Sequence, residues 1–210
     1  MDAHLARFIN LALPKAHKQH KSVFEDVAWA LDHFLRHRRR RLRTVRPADL
    51  RVFLSYWYLR HVQPPSGRDA ERFAAALRLL VRWLGREHTP ERAARLRTET
   101  ERVARETTRA ARVSELLQDT PMHRATSDDA DGYWEVVLLG ETHAILRDLH
   151  AGIPVGPVAL PQDVVRALAP GVVLNLRLAR GHGAWQVVAH GLCYPPVARA
   201  ALRAASAVPV

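Results

Sequence analysis

The hydrophobic period of this chain changes once, and that change limits what the chain can fold into. Up to Leu117 apolar residues recur three and four apart, and from Tyr133 onward they alternate. The first spacing lines one face of a helix; the second lines one face of a strand. Helices followed by strands predict an α+β protein in which each type packs largely with its own kind. The expected architecture is an N-terminal all-α helical bundle with a long connecting helix, followed by a small five-stranded β-barrel or rolled sheet with one short helix. The expected boundaries are a basic helical domain over 1–118, a linker over 119–132 and a mostly-β domain over 133–210.

Punctuation refines the helical part. A short helix is expected over 3–12. Ser22 followed by Glu25 is a capping box, and Phe24, Val27, Leu31, Phe34 and Leu35 continue at helical spacing, which predicts a helix to about Leu42. Pro47 suits a first helical position and Asp49 complements the dipole; Leu50, Phe53, Leu54, Trp57 and His61 then form one face. Ser66 with Asp69 opens a third helix, faced by Phe73, Leu77, Leu80, Val81 and Leu84. The last helix runs from Pro90 to about Leu117 on a thin line of Leu96, Val103, Ala110 and Leu117, with Thr100, Thr107 and Ser114 beside it. Such a seam suits a helix between domains or a dimer contact better than a strong coiled coil. Strands are expected over 133–139, 142–149, 155–160, 172–179 and 184–190, with helices over 161–168 and 197–205 and a hairpin loop at 180–183.

Composition excludes several classes. Of 210 residues 48% are hydrophobic, enough to bury a core and too many for a disordered chain. No apolar run approaches the ~18 residues of a membrane span, and the start lacks a secretory pattern. A cytoplasmic protein without membrane contact is expected. The single cysteine, Cys193, excludes an internal disulfide and a Cys-based zinc cluster.

The formal charge of +11 is unevenly placed. Residues 1–125 carry 23 Arg and 3 Lys against 14 acids, net +12, whereas residues 126–210 carry 6 Arg against 7 acids, net −1. Residues 36–46 alone hold seven arginines and no acid. Four consecutive arginines span 300° of a helix, so this end must project from the bundle or unwind. One or two cations satisfy a helix C-terminus, at about 0.3–1 kcal/mol each; seven repel one another, and a polyanion relieves that repulsion. The candidate nucleic-acid contacts are therefore Arg36, Arg38, Arg39, Arg40, Arg41, Arg43 and Arg46, with Lys15, Lys18 and Lys21 as a secondary arm.

The stretches VFEDVAWALDHFLRHRR, VRPADLRVFLSYWYLR and FAAALRLLVRWLGREH, over about residues 22–87, resemble the N-terminal SAM-like core-binding domain of tyrosine recombinases (phage integrases). The resemblance implies that these helices clasp duplex DNA. It does not carry over the family's chemistry, which needs a separate, larger domain with a His-x-x-Arg pair and a nucleophilic tyrosine. His4–Arg7 and His33–Arg36 match that pair only in spacing and in the wrong part of the chain.

No phosphate-cradling glycine loop, His-Glu-x-x-His, G-x-S-x-G or suggestive Cys–His pair occurs, so neither an enzyme nor a cofactor is expected. His33 with His37, and His17 with His20, lack a third zinc ligand, and the acidic stretch at 128–132 lacks the glutamate that closes a calcium loop. Two readings stand. The first is a non-enzymatic DNA-binding protein that contacts duplex backbone through the Arg-rich helix end. The second is a protein–protein adaptor whose basic helix and aromatic helix (Phe53 to Leu59) meet an acidic partner. In either, the long helix or the β domain is the expected site of a homodimer or partner contact. Tyr56 or Tyr58 on the aromatic helix, and Arg180 with His182 at the hairpin tip, are the further candidates for nucleic-acid contact.

Overall fold

The computed structural model describes residues 21–62, 66–120, 122, 129–181 and 184–206. The expected helix over 3–12, and Lys15 and Lys18, lie outside them. The chain is α+β as its periods require: helices, then a ring of five strands, then a short helix. It divides into two compact units, one taking in the helices as far as Arg105 and the other the chain from Glu106 together with Pro64–Gly67.

The first unit contains α1 (Lys21–His37), α2 (47–61), α3 (Gly67–Leu84) and the first half of α4 (Pro90–Gln118). α1 buries Phe24, Val27, Leu31, Phe34 and Leu35, the face its spacing predicts, and α3 buries Phe73, Leu77, Leu80, Val81 and Leu84. Between them α2 is π-helical over Phe53–Tyr58. Around this wider turn Phe53, Leu54, Trp57, Tyr58 and Leu59 are buried. Phe53, with no exposed surface, meets Phe34 at 5.3 Å, Trp57 at 5.7 Å and Phe73 at 6.0 Å between ring centroids. Tyr58 stacks on Phe73 at 3.9 Å, and burial, reinforced by the charge of Asp69, raises its phenol above the usual tyrosine range. The wide turn also shifts the register beyond it. His61, expected on the core face, is exposed and lies flat against Trp57 at 4.6 Å, with Nδ1 2.9 Å from the Trp57 carbonyl oxygen.

α4 joins this unit through Leu96, Thr100, Val103 and Ala104, all buried. Glu99 on α4 receives Arg51 of α2 and Arg102 of its own helix. Burial alone would raise its carboxyl, but the hydrogen bonds and charges of Arg102 and Arg51 prevail and hold it below its ordinary 4.5. A depressed carboxylate contributes stability above its unfolded pKa and loses it as pH falls through the folded value. Glu99→Gln is therefore expected to lower Tm at pH 7 and to lose that effect at acid pH well below 4.5. Circular-dichroism melts of both proteins across this range check it; an equal Tm difference throughout would exclude the linkage.

The second unit contains the rest of α4, β1 (Ala130–Leu139), β2 (His143–Asp148), β3 (Pro154–Ala159), α5 (Gln162–Ala167), β4 (Val173–Arg180), β5 (Trp185–Tyr194) and α6 (Arg199–Ser206). The strands close into a ring in the order β1-β2-β3-β5-β4, with every neighbour antiparallel except β3 and β5. Trp134, Val136, Leu146, Val158, Leu174, Leu176 and Leu178 are buried, and the Trp134 indole N–H donates to the Leu176 carbonyl at 2.9 Å.

Three sequence expectations move here. β1 begins at Ala130, so the last three residues of the expected linker are strand, paired with Leu178, Arg177 and Leu176 of β4. β5 continues to Tyr194, past the expected end at 190, because its pairing with β4 extends to Val173. The third concerns α4. The seam residues Thr107, Ala110, Ser114 and Leu117, expected at an interdomain or dimer contact, are buried within this unit, together with Ala111 and Val113. Ser114 donates to the Ala110 carbonyl and accepts the Cys193 backbone N–H at 2.8 Å, which ties the helix to β5. The two units divide inside α4, between Arg105 and Glu106. Burial pushes the Cys193 thiol up to about 12 against the opposing hydrogen bond to Ser114, so the thiolate is suppressed at neutral pH.

Candidate nucleic-acid interface

The arginine-rich end of α1 unwinds. The helix stops at His37, five residues before the expected Leu42. The Arg40 N–H donates to the Leu35 carbonyl at 2.8 Å and the Arg39 N–H to the Arg36 carbonyl at 2.9 Å, while Arg39 adopts φ 53°. This is a Schellman stop with arginine in the left-handed position that glycine usually takes. Its physical reason is rotational. Continued helix would wrap Arg38–Arg41 through 300° and drive cations into the core, whereas the turn releases them and returns Leu42 to it, 1% exposed.

The segment is then fixed from beneath. Leu42 opens a 3-10 turn to Thr44, and Val45 is fully buried. Thr44 Oγ donates to the Arg41 carbonyl at 3.0 Å, and Asp49 Oδ2 accepts the Arg46 N–H at 2.9 Å at the start of α2. Arg92 of α4 reaches in with Nη2 to donate to the Arg43 and Val45 carbonyls, at 3.1 and 3.0 Å. The backbone is held while most of the side chains face water: Arg36, Arg38, Arg39, Arg41, Arg43 and Arg46 are exposed and Arg40 is half-buried. Arg36 pairs with Asp32 at 3.1 Å, and Arg38 lies over the Phe34 ring. Arg38–Arg41 and Arg46 form no ion pair among the described residues. Lys21 opens α1, at the opposite end from this cluster.

A non-glycine residue in the left-handed region costs about 1–2 kcal/mol, partly offset by the unfolded-state entropy that glycine would add. Arg39→Gly is therefore expected to stabilise the protein by about 0.5–1 kcal/mol while removing one cation. Urea denaturation reads this directly, and a lower midpoint would contradict the turn geometry.

The other candidates separate. Tyr58 is buried, and Tyr56 is half-buried with the Arg60 guanidinium 5.8 Å over its ring, so neither offers an open face. Arg180 folds over Trp185 at 5.7 Å instead of projecting from the hairpin, while His182 lies outside the described residues. The sequence reading missed Trp29, which is 63% exposed and is the only exposed Phe, Tyr or Trp among the described residues. Its signal was readable: Trp29, His33 and Arg36 are spaced four and three apart, diametrically opposite the Phe24–Val27–Leu31–Phe34 face.

In the second unit, the short helix α5 lies between β3 and β4 of the closed ring of strands. Here β2 and β3 contain no Phe, Tyr or Trp, and Arg147 is their one Arg or Lys. The charge and the exposed aromatic both belong to the first unit. No group of three or more His, Cys, Asp or Glu among the described residues is placed to hold a metal ion, and no described helix is long and apolar enough to cross a membrane.

No family model matches this chain, and neither a curated protein nor a solved structure matches it.

Proposed function

We propose that this protein binds nucleic acid without catalysis, holding the backbone of duplex DNA through the arginines of residues 36–46. The observation that carries the reading is the anchored display: a backbone fixed by Leu42, Val45, Asp49 and Arg92 that presents six exposed guanidinium groups. A cluster needed only to complement the α1 dipole would contain one or two cations. A pre-formed turn also reduces the ordering entropy that flexible arginines would lose on meeting phosphate, and guanidinium forks match phosphate oxygens. The likeness of residues 22–87 to a DNA-clasping helical domain points the same way.

The test is a salt titration of binding to duplex DNA, single-stranded DNA and structured RNA side by side. About six phosphate contacts give log K a slope near −5 against log salt for duplex. A slope near zero, or binding that survives high salt only through a stoichiometric protein partner, rejects the reading in favour of an adaptor.

A further inference from the structure

We infer that the exposed face of α1 carries a second contact, a stacking platform for an unpaired base, so that the arginine segment takes nucleic acid where duplex meets single strand. The inference rests on the function proposed above and specifies its ligand. Trp29 is 63% exposed, yet its ring is supported. It stacks on His33 at 5.5 Å and 22°; His33 leans on the buried Trp57 at 5.8 Å, and Trp57 lies flat on His61 at 4.6 Å and 12°. Four rings thus form a row across α1 and α2, with Trp29 at its outer end. A supported aromatic presents contact area at low entropic cost, and base stacking on such a face accepts any base.

Position argues for nucleic acid as the occupant. Arg36 lies two turns beyond Trp29 on the same face, about 10 Å along the axis, and Arg38–Arg41 follow it at the turn. Glu25 and Asp26, both exposed, lie one turn before Trp29, and Asp32 is already paired with Arg36. The arginines thus cluster at the far end of this face, and a strand with a base on Trp29 directs its phosphates toward them. Bases inside a duplex hide their faces in the stack, so the base that reaches a ring on a convex helix surface is an unpaired one.

Fluorescence anisotropy with a blunt duplex, and with the same duplex carrying a thymidine overhang, tests this. Wild type is expected to bind the overhang form about tenfold more tightly, the size that one base–aromatic stack gives. Trp29→Ala is expected to bring the ratio to about one, and Trp29→Phe to keep most of it. The ring lies outside the core, so circular dichroism should show both variants folded. Equal wild-type affinities, or an overhang preference that survives Trp29→Ala, overturn the platform and leave the arginine reading standing. A wild type that binds neither DNA removes the arginine reading and the platform with it. A Trp29-dependent complex with a protein, without overhang preference, overturns the platform in favour of a docking site.

Discussion

Alanine at Arg38, Arg39, Arg40 and Arg41 together is expected to weaken duplex binding by about a hundredfold at ~0.15 M salt and to flatten the salt slope from about −5 to between about −2 and −3. The magnitude follows from counterion release. Each phosphate contact contributes about 0.9 to the slope, so removing three of the six exposed guanidinium groups takes away roughly 2.7. Extrapolated from molar salt to ~0.15 M, that difference is close to two powers of ten. The fold should survive, because the stop at residues 35–40 is made by backbone groups and the core anchors are Leu42 and Val45. Lysine at the same four positions separates charge from geometry. It keeps the slope near −5 but loses the forked guanidinium contacts, so affinity falls less than in the alanine protein. An alanine variant with wild-type slope would place the phosphate contacts elsewhere.

The largest effect on stability is expected from Phe53→Ala, a loss of about 3–5 kcal/mol. Phe53 has no exposed surface and is ringed by Phe34, Trp57 and Phe73. Its removal deletes buried apolar area, and the rigid rings around it cannot collapse into the space, so the cavity term adds to the transfer term. Natural domains have about 5–15 kcal/mol in total; the variant therefore stands near the margin of folding. Urea denaturation should show a lower midpoint with an unchanged slope. A loss below about 1 kcal/mol would mean that the π-helical turn relaxes to fill the gap.

Both effects depend on features that differ in how openly the sequence announces them. The order of helices and strands was legible because burial dictates period, and the residues of the α1 and α3 faces follow from spacing alone. The end of α1 was not. A left-handed stop is usually announced by glycine or asparagine, and here arginine occupies it. Charge crowding said that the helix must project or unwind, but not which. The π-helical turn has no local signature, and it carries His61 out of its expected place. Trp29 was overlooked for a different reason. Amphipathic patterns are read for what they bury, and an aromatic on the opposite face looks like noise until its neighbours are known. The division of the units inside α4 was equally hidden, since a continuous helix gives no hint that its two halves serve different cores.

The ring of strands has a consequence for anything that would bind the second unit. Four of its joints are ladders of four to seven registered pairs, and the fifth, between β3 and β5, rests on the single pair Val158–Trp185. A closed sheet has no free margin along which another chain could lay a strand and zip itself on through main-chain bonds. Recognition of this unit must therefore be written in side chains, except at that one joint. There, among the described strands, the main-chain pairing is thinnest.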